Sequence, residues 1–323
     1  MDRVIPIRTG IQTATAVRFV AIGLLLYAIL FAGSEWLVHK NGHMNPLFKV
    51  EAAQTLEFDW VILGASHAMP LDFDGLNEVL ESATGLRIIN LAGPGTGPLY
   101  NRFVLEHFFR GHRTKHVLYV ADAFAFRSPM WNEQRLSDTK LLGRTPFSVA
   151  LAIGLARFCL QESVDPRTLL DYVTGFSKIN NRDRFSVDVW EGEGTFDRAF
   201  KPSVSAERKR AEYLYPAVED EANARNRYLS HLTSIIETAS RNGAEVTIAK
   251  FPLPARFRAL LKGEVEFDAE LQQLASRQKA DFVDFSNSMD GPQYYADTDH
   301  LNRTGVAAFF ERHLKLVLTT GER

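Results

Sequence analysis

The sequence has one cysteine in 323 residues, Cys159. A single thiol excludes an internal disulfide and a cysteine-built zinc site. Cys159 lies in Ala156-Arg157-Phe158-Cys159-Leu160, an apolar helical pattern that suits a buried structural thiol. An excess of either charge is also missing. The net charge of -2 gives no basic surface for nucleic acid, so none is expected as a partner. There is no Walker loop. The glycine-rich stretch Gly93-Pro94-Gly95-Thr96-Gly97-Pro98 lacks the Gly-x-Gly-x-x-Gly spacing of a dinucleotide site, so no nucleotide cofactor is expected. Nor is a metal expected: Asp297, Asp299 and His300 have ligand chemistry, but no matching His/Asp cluster accompanies them. Internal repeats and low-complexity tracts are absent as well.

What is there is an ordinary globular composition, 46% hydrophobic and 24% charged, with enough length for a substantial core. One segment departs from it. Phe19 to Gly33 reads FVAIGLLLYAILFAG and has no polar face. Extended to Val38 it covers about 20 residues, enough to span a hydrocarbon core of about 30 Å. Trp36 falls where an interfacial aromatic belongs. Arg3, Arg8 and Arg18 precede the run and Asp2 is the only acid before it. The positive-inside tendency keeps that end in the cytoplasm and sends the rest across. Residues 1–18 are therefore read as a cytoplasmic segment, 19–38 as a transmembrane anchor and 39–57 as a connector. A cleaved signal peptide with Ala32-Gly33-Ser34 as its cleavage site is the rival reading.

From residue 58 onward, short apolar runs alternate with helical spacing. Trp60-Val61-Ile62-Leu63 reads as a strand, Phe73 to Ala83 as a helix, Leu86 to Leu91 as a strand, Leu99 to Phe109 as a helix and His116 to Val120 as a strand. The alternation lapses over residues 124–216, where helical stretches and loops form an insertion. It resumes with a helix over Glu221–Arg241 stopped by Gly243, a strand over Ala244–Ala249, a helix over Phe267–Lys279, a strand at Phe282-Val283-Asp284-Phe285 and a last helix over Thr304–Leu318. Asn302 or Thr304 is able to cap that helix. The pattern predicts an α/β fold: a flavodoxin-like three-layer parallel sheet with a helical insertion and an N-terminal transmembrane helix.

Sites in such sheets lie beyond the carboxyl ends of the strands. Gly64-Ala65-Ser66-His67 follows the first strand, Gly93 to Gly97 the second and Asp122 the third. Asp297-Thr298-Asp299-His300-Leu301-Asn302 follows the fifth. Ser66 is the candidate nucleophile and His300 its candidate base. Asp297, three residues earlier, is the candidate partner for the other ring nitrogen, with Asp299 as the fallback. Backbone N–H groups of Ser66 and of Gly93 or Gly95 are candidate oxyanion donors. His67, adjacent to Ser66, is poorly placed to act as its base and is read as a supporting residue, as are Asp122 and Asn302. Taken singly, each motif also reads as a turn or a helix entry.

At these residues the sequence resembles the SGNH (GDSL-like) hydrolase superfamily, and within it the membrane-anchored envelope proteins of the DltD, AlgJ and AlgX type. The resemblance rests on Gly64-Ala65-Ser66-His67, on Asn90-Leu91-Ala92-Gly93-Pro94-Gly95, and on Asp297-x-x-His300-Leu301-Asn302 with Gly305. It covers residues 58–122 and 222–318 and includes the anchor. It implies Ser66 as nucleophile, His300 as base, Asp297 as its partner, and Ser66 with Gly93 or Gly95 as oxyanion donors. The sequence also departs from the family. Gly-Ala-Ser replaces Gly-Asp-Ser, and Tyr119-Val120-Ala121-Asp122 stands where Gly-x-Asn-Asp would supply an asparagine donor. Loss of such a donor typically costs ~10²–10³ in rate.

The resemblance implies a serine acyltransferase or esterase that acts on O-acyl groups, O-acetyl in the first place, of a cell-envelope glycan or exopolysaccharide. A membrane-bound O-acyltransferase is a candidate partner. The implied location is the bacterial inner membrane, with a single span and the catalytic domain on the periplasmic or extracellular side. Trp131, Trp190 and the arginines of the insertion suit a sugar-binding cover, and also a helical cap with its own small core. The missing asparagine keeps a second reading open, a weak or inactive protein of the same fold that binds polysaccharide or scaffolds an acyltransferase complex. A soluble-type lipase or thioesterase that happens to be tethered is a third.

Overall fold

The structure, a computed structural model, describes residues 9–320. Arg3, Arg8 and Asp2, used above to orient the anchor, lie outside the described residues. The chain opens with the long helix α1 (Thr9–Asn41) and the short helix α2 (Pro46–Ala52). An alternation follows: β1 (Glu57–Gly64), α3 (Leu76–Thr84), β2 (Ile88–Asn90), α4 (Pro98–Phe108) and β3 (Arg113–Val120). The insertion holds α5 (Glu133–Leu136), α6 (Thr139–Leu142), α7 (Val149–Gln161), α8 (Pro166–Thr174), α9 (Phe176–Asn180) and α10 (Val204–Leu214). Then come α11 (Glu221–Arg241), β4 (Glu245–Lys250), α12 (Ala255–Arg258), α13 (Glu264–Gln278) and β5 (Asp281–Asp284). The chain ends with α14 (Arg303–Phe309), a π-helical turn at Phe310–Leu314 and α15 (Lys315–Thr320).

All strand pairs are parallel, in the order β2-β1-β3-β4-β5. This is the doubly wound, flavodoxin-like order. The strands read as continuous apolar runs because both sheet faces are covered. Val61, Leu63, Val117 and Tyr119 pack under α4, α7 and α11, while Trp60, Ile62, Leu118 and Val120 pack against α3, α14 and the chain end. The expected fold class is therefore the observed one.

The local differences have physical reasons. The helix expected from Phe73, α3, starts at Leu76 instead, because Asp74 and Gly75 take left-handed φ values of 52° and 74° and break the spiral. The connector is partly helical. Asn45 accepts a hydrogen bond from Phe48 N–H at 3.0 Å and starts α2, which buries Leu47 and Val50. At α14 Asn302 is the cap, accepting from Gly305 N–H at 2.8 Å.

Among the described residues one helix is long and apolar enough to cross a bilayer, Thr13–Asn41. Residues 13–30 are exposed, and from Phe31 onward the helix packs on the body. Ser34, Val38 and Asn41 are buried at helical spacing. Tyr27 donates to Thr174 O at 3.1 Å, and Asn41 Nδ2 donates to Arg184 O at 2.7 Å.

Candidate active site

The sheet order reverses at β1, which has β2 on one side and β3 on the other. Ligand crevices form outside the strand ends at such a point. Gly64 closes β1 with a φ of +145°, a conformation that side chains avoid. A Cβ there would lie 2.8 Å from Val120 O on the paired strand. Glycine thus lets the chain leave the sheet sharply and present Ser66 immediately above it.

The acid–base pair comes from the loop before α14. Ala296 N–H donates to His300 O at 2.9 Å, and Tyr295 bridges to Leu301, so the ends of this short loop are clamped together. Asp297 Oδ1 accepts the backbone N–H groups of Asp299 (3.0 Å) and His300 (2.8 Å). The same carboxylate lies 2.9 and 3.0 Å from His300 Nδ1. Asn302 Nδ2 donates to Gln293 O at 2.8 Å and Arg198 O at 2.9 Å, fixing the loop to the body.

His300 Nε2 lies 2.8 Å from Ser66 Oγ. Two groups separated by more than two hundred residues of chain therefore meet at hydrogen-bond distance, with both side chains buried. With Nδ1–H donating to Asp297, the Nε2 lone pair faces the serine hydroxyl, as a base must. Burial raises the Asp297 carboxyl, but the His300 charge and hydrogen bond outweigh it and leave the carboxyl below its usual range.

Asp299, the fallback for the orienting role, comes only within 3.7 Å of His300 Nδ1, against 2.9 Å for Asp297. It is 1% exposed, and Arg210 of α10 grips it with Nε at 2.9 and 3.1 Å from its two oxygens. Its Oδ2 is also 3.2 Å from His67 Nε2. On the other side, His67 Nδ1 lies 2.6 Å from Asp122 Oδ1. His67 is thus an imidazole held between two carboxylates. Burial alone would lower its pKa, but Asp122 and then Asp299 reverse that and push it up to about 10. For Asp299, burial is likewise outweighed by His300, Arg210 and His67, which hold its carboxyl well below the usual range. The supporting residues thus form a charged row, Asp122–His67–Asp299–Arg210, behind the Ser66–His300 pair.

Arg210 was not singled out from the sequence. No motif marks it, and only the folding of the insertion back over the sheet brings it to Asp299. His67, Asp299 and His300 place ligand atoms within 4.8 Å of one another. Arg210 and Asp122 satisfy two of these three residues with hydrogen bonds, and His300 faces Ser66.

The two glycines proposed as oxyanion donors differ. Gly93 N–H donates to Gly64 O at 3.3 Å and is already engaged. Gly95 has a φ of +63° and lines the cleft with Ser66. The N–H groups of Ser66 and Gly95 have no acceptor among the described residues. The cleft has a volume of about 600 Å³ and is covered by the insertion, with Phe124, Trp131, Trp190, Arg135 and Tyr213 in its walls. Trp190 lies edge-on to the His300 ring at 5.4 Å. Trp131 Nε1 is buried without a partner among the described residues.

No family model matches the chain, and no curated protein matches it either. Among solved structures, a Bacteroides fragilis chain described as a "putative acylhydrolase" is similar over 86% of this chain and 95% of its own. The TM-score is 0.44 and the identity 11%. A likeness that distant assigns no chemistry, so the functional reading rests on the site.

Proposed function

We propose that the chain is a membrane-anchored, SGNH-like serine enzyme that transfers or hydrolyses O-acyl groups, with O-acetyl esters of an envelope glycan or exopolysaccharide as its substrate class. The observation that carries this reading is the 2.8 Å contact of Ser66 Oγ with His300 Nε2, continued to Asp297 through Nδ1.

In the proposed reaction Ser66 Oγ attacks the acyl carbonyl carbon as its proton passes to His300 Nε2. The oxyanion is met by Ser66 N–H and Gly95 N–H. Collapse breaks the ester bond, and His300 returns the proton to the departing alcohol. The acyl group then rests on Ser66. A sugar hydroxyl or water, deprotonated by His300, attacks the acyl-enzyme and frees the serine. Transfer wins over hydrolysis when the acceptor excludes water. The Trp190 and Tyr213 rings in the cleft wall support a sugar acceptor, because aromatic faces pack against the apolar faces of sugar rings. The apolar α1 supports a membrane anchor, and the arginines before the apolar run favour a catalytic domain on the periplasmic or extracellular side.

A second reading is a catalytically weak protein of the same fold that binds polysaccharide or scaffolds a membrane acyltransferase. What favours it is the shortage of oxyanion donors: Gly93 N–H is engaged with Gly64 O, and Asp122 is engaged with His67. Fluorophosphonate labelling of the full-length protein separates the two. A covalent adduct on Ser66 that is lost in Ser66→Ala and His300→Gln, with acetate released from an O-acetylated glycan, is expected of the enzyme. No adduct, with glycan binding kept by Ser66→Ala, overturns the enzymatic reading.

A further inference from the structure

The apolar part of the anchoring helix that stands clear of the body is shorter than the membrane it would cross. Phe19 to Leu30, the exposed part that follows Arg18, rises only about 18 Å, and within it the Tyr27 hydroxyl reaches Thr174 O of the body at 3.1 Å. A hydrocarbon core needs about 30 Å. The shortfall of about 12 Å falls on the next stretch, Phe31 to Val38. That stretch is not free, because the insertion packs on it.

The contacts fix which parts of the insertion share its depth. The Phe31 ring lies 5.8 Å, edge-on, from the Phe147 ring. Glu35 is the only acid in the apolar span. It pairs with the buried Lys178 of α9, and its other oxygen accepts from Phe147 N–H at 3.0 Å. The Glu35 charge is therefore compensated at that level. If Phe31 to Val38 lie in hydrocarbon, Phe147 and the start of α9 lie there too.

The surface around these contacts is apolar and open. Val149 and Ile153 lie on one stripe of α7 and are 65% and 59% exposed. Leu170 and Val173 of α8, 65% and 46% exposed, and Phe176 of α9, 61% exposed, extend the surface toward α1. Asp165 and Arg167, both exposed, lie where α7 joins α8 and mark a polar limit. An apolar face that is continuous with a membrane helix and ends in a charged rim has the pattern of an interfacial element.

We propose that the α7–α9 face of the insertion is a second membrane contact, seated in the outer part of the same bilayer that α1 crosses. This rests on α1 being a membrane anchor. The occupant of the face is lipid, neither a second copy nor a partner protein.

The test uses the full-length chain with Cys159→Ala, reconstituted in phosphatidylcholine/phosphatidylglycerol vesicles. An environment-sensitive fluorophore is placed on single cysteines at Leu25, Ile153, Val173 or Lys262, and acyl-chain nitroxide lipids serve as quenchers. Labels at 25, 153 and 173 are expected to be quenched at least about twofold more than the label at 262, as for groups ~5–10 Å below the headgroups. Quenching at 25 with none at 153 and 173 beyond that at 262 overturns the second contact and leaves the anchor standing. Absence of quenching at 25 overturns the anchor reading itself, and the inference with it.

Discussion

Arg210 Nε lies 2.9 Å from Asp299 Oδ2, so the acid beside the candidate base is held by the insertion and leaves Asp297 to orient His300. Two acids two residues apart in sequence thus do different work. One carries the geometry of the Ser66–His300 pair, and the other ties that pair to the helical cover.

Asp297→Asn is therefore expected to slow acylation of Ser66 by about 10²–10⁴, because an amide cannot hold the imidazole in the same tautomer and charge state. Asp299→Asn is expected to slow it far less and to lower the thermal midpoint instead. The rate of fluorophosphonate labelling and a melting curve, taken on both variants, measure the split. The reverse order would make Asp299 the orienting acid.

His67 gives the fold a pH dependence at the alkaline end. Its pKa is raised from 6.5 to about 10, so its contribution to stability is complete below 6.5 and is lost as the pH climbs through about 10. Wild-type unfolding free energy is expected to decline across that window. His67→Gln is expected to start lower and to decline less. Denaturant titrations at several pH values in detergent would show this, and parallel slopes for the two proteins would contradict it.

Gly64→Ala should be costly out of proportion to one methyl group. The φ of +145° and the 2.8 Å approach to Val120 O leave the new Cβ no room, and a strained backbone position costs about 1–3 kcal/mol before the clash is counted. The expected result is a clear fall in denaturation midpoint together with loss of Ser66 labelling. A variant with an unchanged midpoint would mean that the strand end can relax.

The Glu35–Lys178 pair offers a test of the joint between anchor and body. Lys178→Met leaves a carboxylate without its partner in a largely buried place, at a cost of about 3–5 kcal/mol. Adding Glu35→Gln to Lys178→Met should restore most of the loss. Thermal unfolding of the three variants in detergent measures both effects, and equal melting of the single and double variants would contradict the coupling.

Much of the sheet was legible because burial on both faces leaves plain marks. Trp60 to Leu63 could only be a covered strand, and Gly64 ended it. The Asp297-x-x-His300 spacing was legible because one short loop carries both groups and uses the Asp297 carboxylate for its own backbone. Arg210 was not legible, since its partner lies in another part of the chain and α10 has no pattern that separates it from any other charged helix. Nor could spacing show that Gly93 donates to Gly64 O, because that depends on how β2 and β1 end relative to each other. The left-handed pair Asp74–Gly75 hid the true start of α3, as Phe73 continues the apolar spacing into a turn.

Between Asn41, where α1 ends, and Pro46, where α2 begins, the chain has no slack. Asn45 Nδ2 donates to Leu141 O at 2.8 Å and Asn45 N–H donates to Asp188 at 3.0 Å, and Met44, Asn45 and Pro46 form part of the cleft wall that includes Ser66. With α1 as the anchor, Ser66 works at a set altitude above the lipid, with no leash on which to roam. On the proposed function, a glycan polymer would meet this serine only along the section of its length that passes at that altitude, so the selection of which sugar is modified would depend partly on height as well as on the fit of the cleft.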